Sequence, residues 1–170
     1  PEWRAVRSLP QRNVLHRHTV DRHMVETAVQ AAALTRQVHR PDILLFSALF
    51  HDIGKGTQED HSERGERLIE PLAARIGFAA PDIETLKLLI KHHLLLSATA
   101  TRRDLDDPAT IASVTSVIPD LQTLELLHAL SIADGQATGR AAWSDWKESL
   151  LSELVSRVTN ALTDNTIATA

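Results

Sequence analysis

The sequence predicts an all-α fold, a bundle of about seven helices. Apolar residues recur at helical spacing along nearly the whole chain, and alternating strand-like stretches and β-hairpin signals are absent. Paired start and stop signals then cut the chain into helix-sized pieces with short connections.

The elements follow in order. A first long helix is expected over roughly Thr19–Val38, with Val20, His23, Met24, Thr27, Ala28 and Ala31 on one stripe. Pro41-Asp42 opens a helix through Phe50 that is apolar on all sides, which predicts the central buried helix; Gly54-Lys55-Gly56 stops it. Asp60, with Glu63 three residues on, has the form of a capping box. It starts a helix with Leu68, Leu72 and Ile76 inward that ends at Gly77. Pro81-Asp82 opens the next, with Leu86, Leu89, Ile90, His93 and Leu94 on one face. Asp107-Pro108 combines an N-cap with proline at the first helical position. Asp120 starts a helix through Leu124, Leu127 and Leu130 to Asp134-Gly135. The last spans about Ser144–Leu162, with Trp143 and Trp146 expected on one face as core anchors. Residues 1–162 are expected to form one domain and 163–170 a frayed tail.

Composition excludes several classes. The 170 residues carry 18 Lys+Arg and 22 Asp+Glu, a net charge of 18 − 22 = −4, which argues against a nucleic-acid binder acting by phosphate neutralisation. A hydrophobic content of 43% with 24% charged residues fits an ordinary globular domain rather than disorder. No apolar run approaches the ~18 residues of a membrane span. With no Cys there are no disulfides, thiolate nucleophiles or iron–sulfur clusters, so any metal site uses His and carboxylate. No secretory leader is legible, so the cytoplasm is expected. The start at Pro1 rather than Met fits either a piece of a longer chain or removal of Met before Pro.

The informative residues are polar ones on faces that should be buried. His51-Asp52 ends the most apolar helix, Asp134 ends another, and His23 and His93 share stripes with apolar neighbours. Each residue alone is ordinary, since most buried histidines are simply hydrogen-bonded. Together they fit one centre, because buried carboxylates pair or bind metal. Such N/O donors suit Mn, Fe, Zn, Co or Mg.

The order His23, then His51-Asp52, then Asp134 resembles the HD superfamily of metal-dependent phosphohydrolases. His61, followed by His92-His93, is similar to the extra histidines of HD proteins that hold two metals. The runs His16-Arg17-His18-Thr19-Val20-Asp21-Arg22-His23, Leu49–Gly56, Asp60-His61-Ser62-Glu63, Arg102-Arg103-Asp104, Ala133–Thr138 and Trp143-Ser144-Asp145-Trp146-Lys147 resemble the HD domain of bifunctional PII uridylyltransferase/uridylyl-removing enzymes. The likeness covers roughly Val14 to Val155. It implies an HD-type helical bundle with a central buried metal site. It also implies hydrolysis of a nucleotidyl group, UMP or AMP, from a tyrosine of PII. The family's nucleotidyltransferase and ACT domains are expected elsewhere in a full-length chain.

The expected roles follow from that resemblance. His23, His51, Asp52 and Asp134 hold one divalent metal, Mn or Mg with Fe or Zn as alternatives. Asp52 bridges to a second, held with His61 and His93, and His92 is a possible additional ligand. His51, Asp52 and Lys55 form the catalytic group, with Lys55 on a phosphate oxygen. Arg102 and Arg103 contact the nucleotide phosphate or acidic residues of PII. Two other readings stay open: an HD phosphohydrolase acting on a free or cyclic nucleotide, and a non-catalytic regulatory module with a structural metal site.

Overall fold

The computed structural model describes residues 2–168, with side chains through 164. Among these residues there are nine α-helices and no strand. They are α1 (Glu2–Val6), α2 (Val20–Leu34), α3 (Pro41–Phe50), α4 (His61–Ile76), α5 (Ala80–Lys91), α6 (Leu95–Arg102), α7 (Pro108–Thr115), α8 (Leu121–Thr138) and α9 (Asp145–Ala168). A 3₁₀ turn, Thr35–Gln37, extends α2. The two helices beyond the expected seven are α1, too short to show a period, and α6, which a turn at 92–94 separates from α5.

Helix starts lie where capping chemistry puts them. The Asp60 carboxylate accepts from the Ser62 and Glu63 N–H groups, that of Asp107 from Ala109 N–H, and that of Asp120 from Thr123 N–H. Gly77 closes α4 in the left-handed conformation, φ 104°.

The centre of the bundle is α8 rather than α3. Its buried residues include Leu124, Leu126, Leu127, Ala129, Leu130, Ser131, Ala133 and Ala137, on every side of the helix. It packs against α2, α3, α5, α6 and α9. Helix α3 buries Ile43, Leu44, Ser47 and Ala48, while an aromatic layer lies on the rest of it: Phe46 against Phe78 and Phe50 against Trp3.

Three further expectations are corrected. The inward stripe of α4 is Gly65, Ile69, Leu72 and Ala73, and Ile76, in the last turn of the helix, is 59% exposed. Leu94 is 45% exposed because the chain turns after α5 and breaks the stripe. Trp143 lies on the turn before α9, not on the helix, so it shares no helical face with Trp146, which is 63% exposed. Helix α9 runs on to Ala168; the last two residues of the expected tail lie outside the described residues.

A second apolar cluster positions the site. Val6, Val20, Met24 and Ile53 are buried together, with Trp3, Leu9 and Phe50 against them. Ile53 pins the turn after α3, and burial of such a side chain stabilises by about 1.5–3 kcal/mol. The same turn depends on Gly54: a Cβ there would lie 2.0 Å from the His61 carbonyl oxygen and 2.6 Å from Gly65 N. Glycine thus lets the turn press directly on the first turn of α4.

Candidate metal centre

Five helices converge on one point. His23 comes from α2, His51 and Asp52 from the end of α3, His61 from the first residue of α4, His93 from just beyond α5, and Asp134 from α8. His23, His51, Asp52 and His93 are at most 2% exposed. The Asp134 side chain is 18% exposed and opens to the cavity.

The donors form overlapping groups whose ligand atoms lie within 4.8 Å of one another: His23, His51 and Asp134; Asp52, His61 and His93; and His16, His23 and Asp52. In the first, His23 Nε2 is 2.9 Å from Asp134 Oδ1 and 3.2 Å from His51 Nε2. Asp52 divides its two oxygens between the others. Oδ2 faces His51 Nε2 at 3.5 Å and His23 Nε2 at 3.8 Å. Oδ1 faces His93 Nε2 at 3.6 Å and His61 Nε2 at 3.7 Å.

Several features fit a divalent cation. Asp52 Oδ1 is buried with no hydrogen-bond partner, a costly state for a carboxylate oxygen. Two donors bound about 2.1 Å from one tetrahedral ion lie about 3.4 Å apart, close to the spacings above. His51 and His93 are each held by the same device: Nδ1–H donates to the carbonyl three residues back, Ala48 at 2.9 Å and Ile90 at 2.7 Å. Those carbonyls belong to the last turns of α3 and α5, where helices leave acceptors free. The bond commits each Nδ1 and points each Nε2 inward, the orientation that metal-binding histidines need. A carboxylate with one oxygen facing each pair of imidazoles can bridge two ions.

The electrostatics reflect this crowding. Burial alone would lower the His51 pKa, but the Asp52 and Asp134 carboxylates carry it up to about 10. Burial and the neighbouring His51 charge push His93 down to about 4. Burial would raise Asp134, yet the His51 and His23 imidazoles hold it below the usual carboxylate range, and His51 and Lys55 do the same for Asp52. Burial lowers His61.

The remaining expected site residues divide. Lys55 Nζ lies 2.7 Å from Asp52 Oδ2 and 2.9 Å from Gln11 Oε1. Arg102 and Arg103 are both exposed; Arg102 lines the cavity beside the cluster and Arg103 does not. His92 is outside the cluster; it caps α5, with Lys91 and Glu66 as its charged neighbours. His16, which the sequence pattern does not mark as a donor, stands with His23 and Asp52. Its ring meets His23 edge-on at 5.0 Å, and its buried Nδ1 has no partner. It lies on a loop without periodicity, so only its place seven residues before His23 hinted at the site.

A cavity of about 630 Å³ opens over the cluster. Its volume falls within the roughly 300–1,000 Å³ of small-ligand sites. Among the described residues no helix is long and apolar enough to cross a membrane.

Comparison with known proteins gives the same region a family. The HD domain profile matches residues 20–135, which span the cluster from His23 to Asp134. A bifunctional uridylyltransferase/uridylyl-removing enzyme of Streptomyces coelicolor is 58% identical over 162 residues, 95% of this chain and 19% of the relative. One of Mycobacterium tuberculosis is 56% identical over 92% of this chain, and one of Ruegeria pomeroyi 33% over 95%. The chain therefore spans about a fifth of the length of these relatives.

Proposed function

The chain belongs to the HD domain family, and on that premise we propose that it is a metal-dependent phosphodiesterase. Its proposed reaction removes a nucleotidyl group, UMP in the first instance, from the modified tyrosine of a PII protein. The observation that carries the reading is the Asp52 carboxylate, with one oxygen turned to His23 and His51 and the other to His61 and His93. The names of the similar proteins supply the uridylyl-removing activity.

His23, His51, Asp52 and Asp134 would hold one divalent ion, and Asp52, His61 and His93 a second. Bound there, the metal supplies Lewis acidity toward a phosphoryl oxygen and a water acidified enough to attack at neutral pH. The chain's own residues do the rest. The Ala48 and Ile90 carbonyls keep His51 and His93 in register. Lys55, on the turn beside Asp52, contributes a point charge to a phosphate oxygen. Arg102 at the cavity wall adds forked donors for the phosphate or for an acidic segment of the partner.

The test is the intact mass of nucleotidylated PII before and after incubation with this chain and Mn²⁺, beside a metal-free control. A metal-dependent loss of one UMP unit per PII subunit supports the reading. No loss, with hydrolysis of a free or cyclic nucleotide instead, moves the chain to another HD substrate.

A further inference from the structure

The cavity does not end at the metal cluster. It continues past Asp134 between α6 and the α8–α9 junction, where Ser97, Arg102 and Trp143 line it. Resting on the function proposed above, we propose that this limb is the nucleobase subsite, with the Trp143 indole as its stacking wall and uracil as the base.

The Trp143 ring packs directly on α8 at Gly135, the residue after Asp134. A Cβ on Gly135 would lie 2.3 Å from Trp143 Cε3 and 2.8 Å from Cζ3. Any other residue at 135 would force the indole away from α8. Glycine at that position, directly after Asp134, sets the ring against the helix beside the cluster. The turn that carries it is fixed at both ends: Trp143 N–H donates to the Gly139 carbonyl at 3.0 Å, and Lys147 Nζ donates to the Ala142 carbonyl at 2.7 Å. The indole is only partly buried and keeps surface toward the cavity. A rigid aromatic surface held in place before the ligand arrives loses little entropy on binding.

Polar residues beside it offer donors to the edge of a base. The Ser97 hydroxyl, the Arg102 guanidinium and the Trp143 indole N–H have no hydrogen-bond partner among the described residues. Indole and guanidinium are donors only, and a hydroxyl can donate. Such donors can be met by the two carbonyl oxygens of uracil, where adenine offers ring nitrogens as its acceptors. The anionic phosphodiester then lies toward Lys55 and the cluster, and the base lies along α6.

The test uses the metal-loaded chain and two esters with the same phenolic leaving group, uridine 5′-(4-nitrophenyl phosphate) and methyl 4-nitrophenyl phosphate. Trp143→Leu is expected to lower the kcat/KM ratio of uridine ester to methyl ester by about tenfold, the scale of one stacked base, with Trp143→Phe recovering part of it. Calorimetry on the wild-type chain is expected to show UMP binding about tenfold or more tighter than ribose 5-phosphate, and tighter than AMP. An equal loss on both esters in Trp143→Leu overturns the proposal. So does equal affinity for UMP and ribose 5-phosphate, a binding result that stands even if the Leu variant fails to fold. Failure of the function reading is seen separately, as PII that keeps its UMP while the small-molecule binding pattern holds.

Discussion

The Lys55 ammonium lies 2.7 Å from Asp52 Oδ2, on the same oxygen that faces His23 and His51. It thereby neutralises a carboxylate that is only 2% exposed. A divalent cation held at that oxygen would supply the same neutralisation, and Lys55 would then be available to the substrate. Lys55→Gln is therefore expected to bind Mn²⁺ at least as tightly as wild type, by calorimetry, while phosphodiester turnover falls by about ten- to a hundredfold, the scale of a charged hydrogen bond. Loss of metal binding with the lysine would make it part of the metal's support instead.

His92 and His93 are adjacent in sequence but divided by the structure. His93 turns Nε2 to Asp52 while its Nδ1 donates to Ile90; His92 caps α5 outside the cluster. His93→Ala is expected to weaken binding of one metal ion by about a hundredfold or more, above the effect of removing a supporting partner. His92→Ala is expected to leave it within about twofold. Equal effects in the two titrations would make both residues ligands.

Metal binding should release protons. In the metal-free chain the His51 pKa stands at about 10, so the ring is protonated at neutral pH, whereas His93, at about 4, is already neutral. An ion that takes His51 Nε2 must displace its proton. Proton and metal compete for one nitrogen, so affinity rises with pH and levels off only above the His51 pKa. Between pH 7 and 9 the expected gain is about tenfold per unit. Calorimetry in buffers of different ionisation enthalpy should count one proton released per ion at the His51 side. Affinity independent of pH over that range would contradict it.

Gly54→Ala tests the contact between the turn after α3 and the start of α4. The new methyl would meet backbone, the His61 carbonyl and Gly65 N, which cannot swing aside as a side-chain tip does. A loss of at least about 2 kcal/mol is expected, read as a fall in melting temperature of at least about 4 °C. An unchanged melting temperature would show that α4 is free to move, and with it His61.

What the sequence disclosed was local. Asp60, Asp107 and Asp120 announce helix starts because capping is a matter of a few adjacent atoms. His51, Asp52, His23, His93 and Asp134 stood out because a polar group on an apolar stripe is anomalous within its own helix. What the sequence hid depends on other elements. The central place of α8 follows from how many helices surround it, not from its own composition. The turn that parts α6 from α5 interrupts no apolar pattern, so periodicity alone predicts one helix running on into Leu94. Trp143 lies off the helix because of the turn from Gly139, and its closeness to Gly135 is a contact between segments. His16 reaches His23, and Gln11 reaches Lys55, from a loop whose path no periodicity encodes.

The central claim is that one buried cluster holds the catalytic metal. It is tested most directly by the Mn²⁺ bound per chain in wild type, His51→Ala and Asp52→Ala, with circular dichroism on the same samples. Wild type should bind stoichiometric metal. Both variants should lose it, along with hydrolysis, while their helix content stays near wild type. A folded Asp52→Ala chain that keeps full metal content, or full activity, would contradict the account.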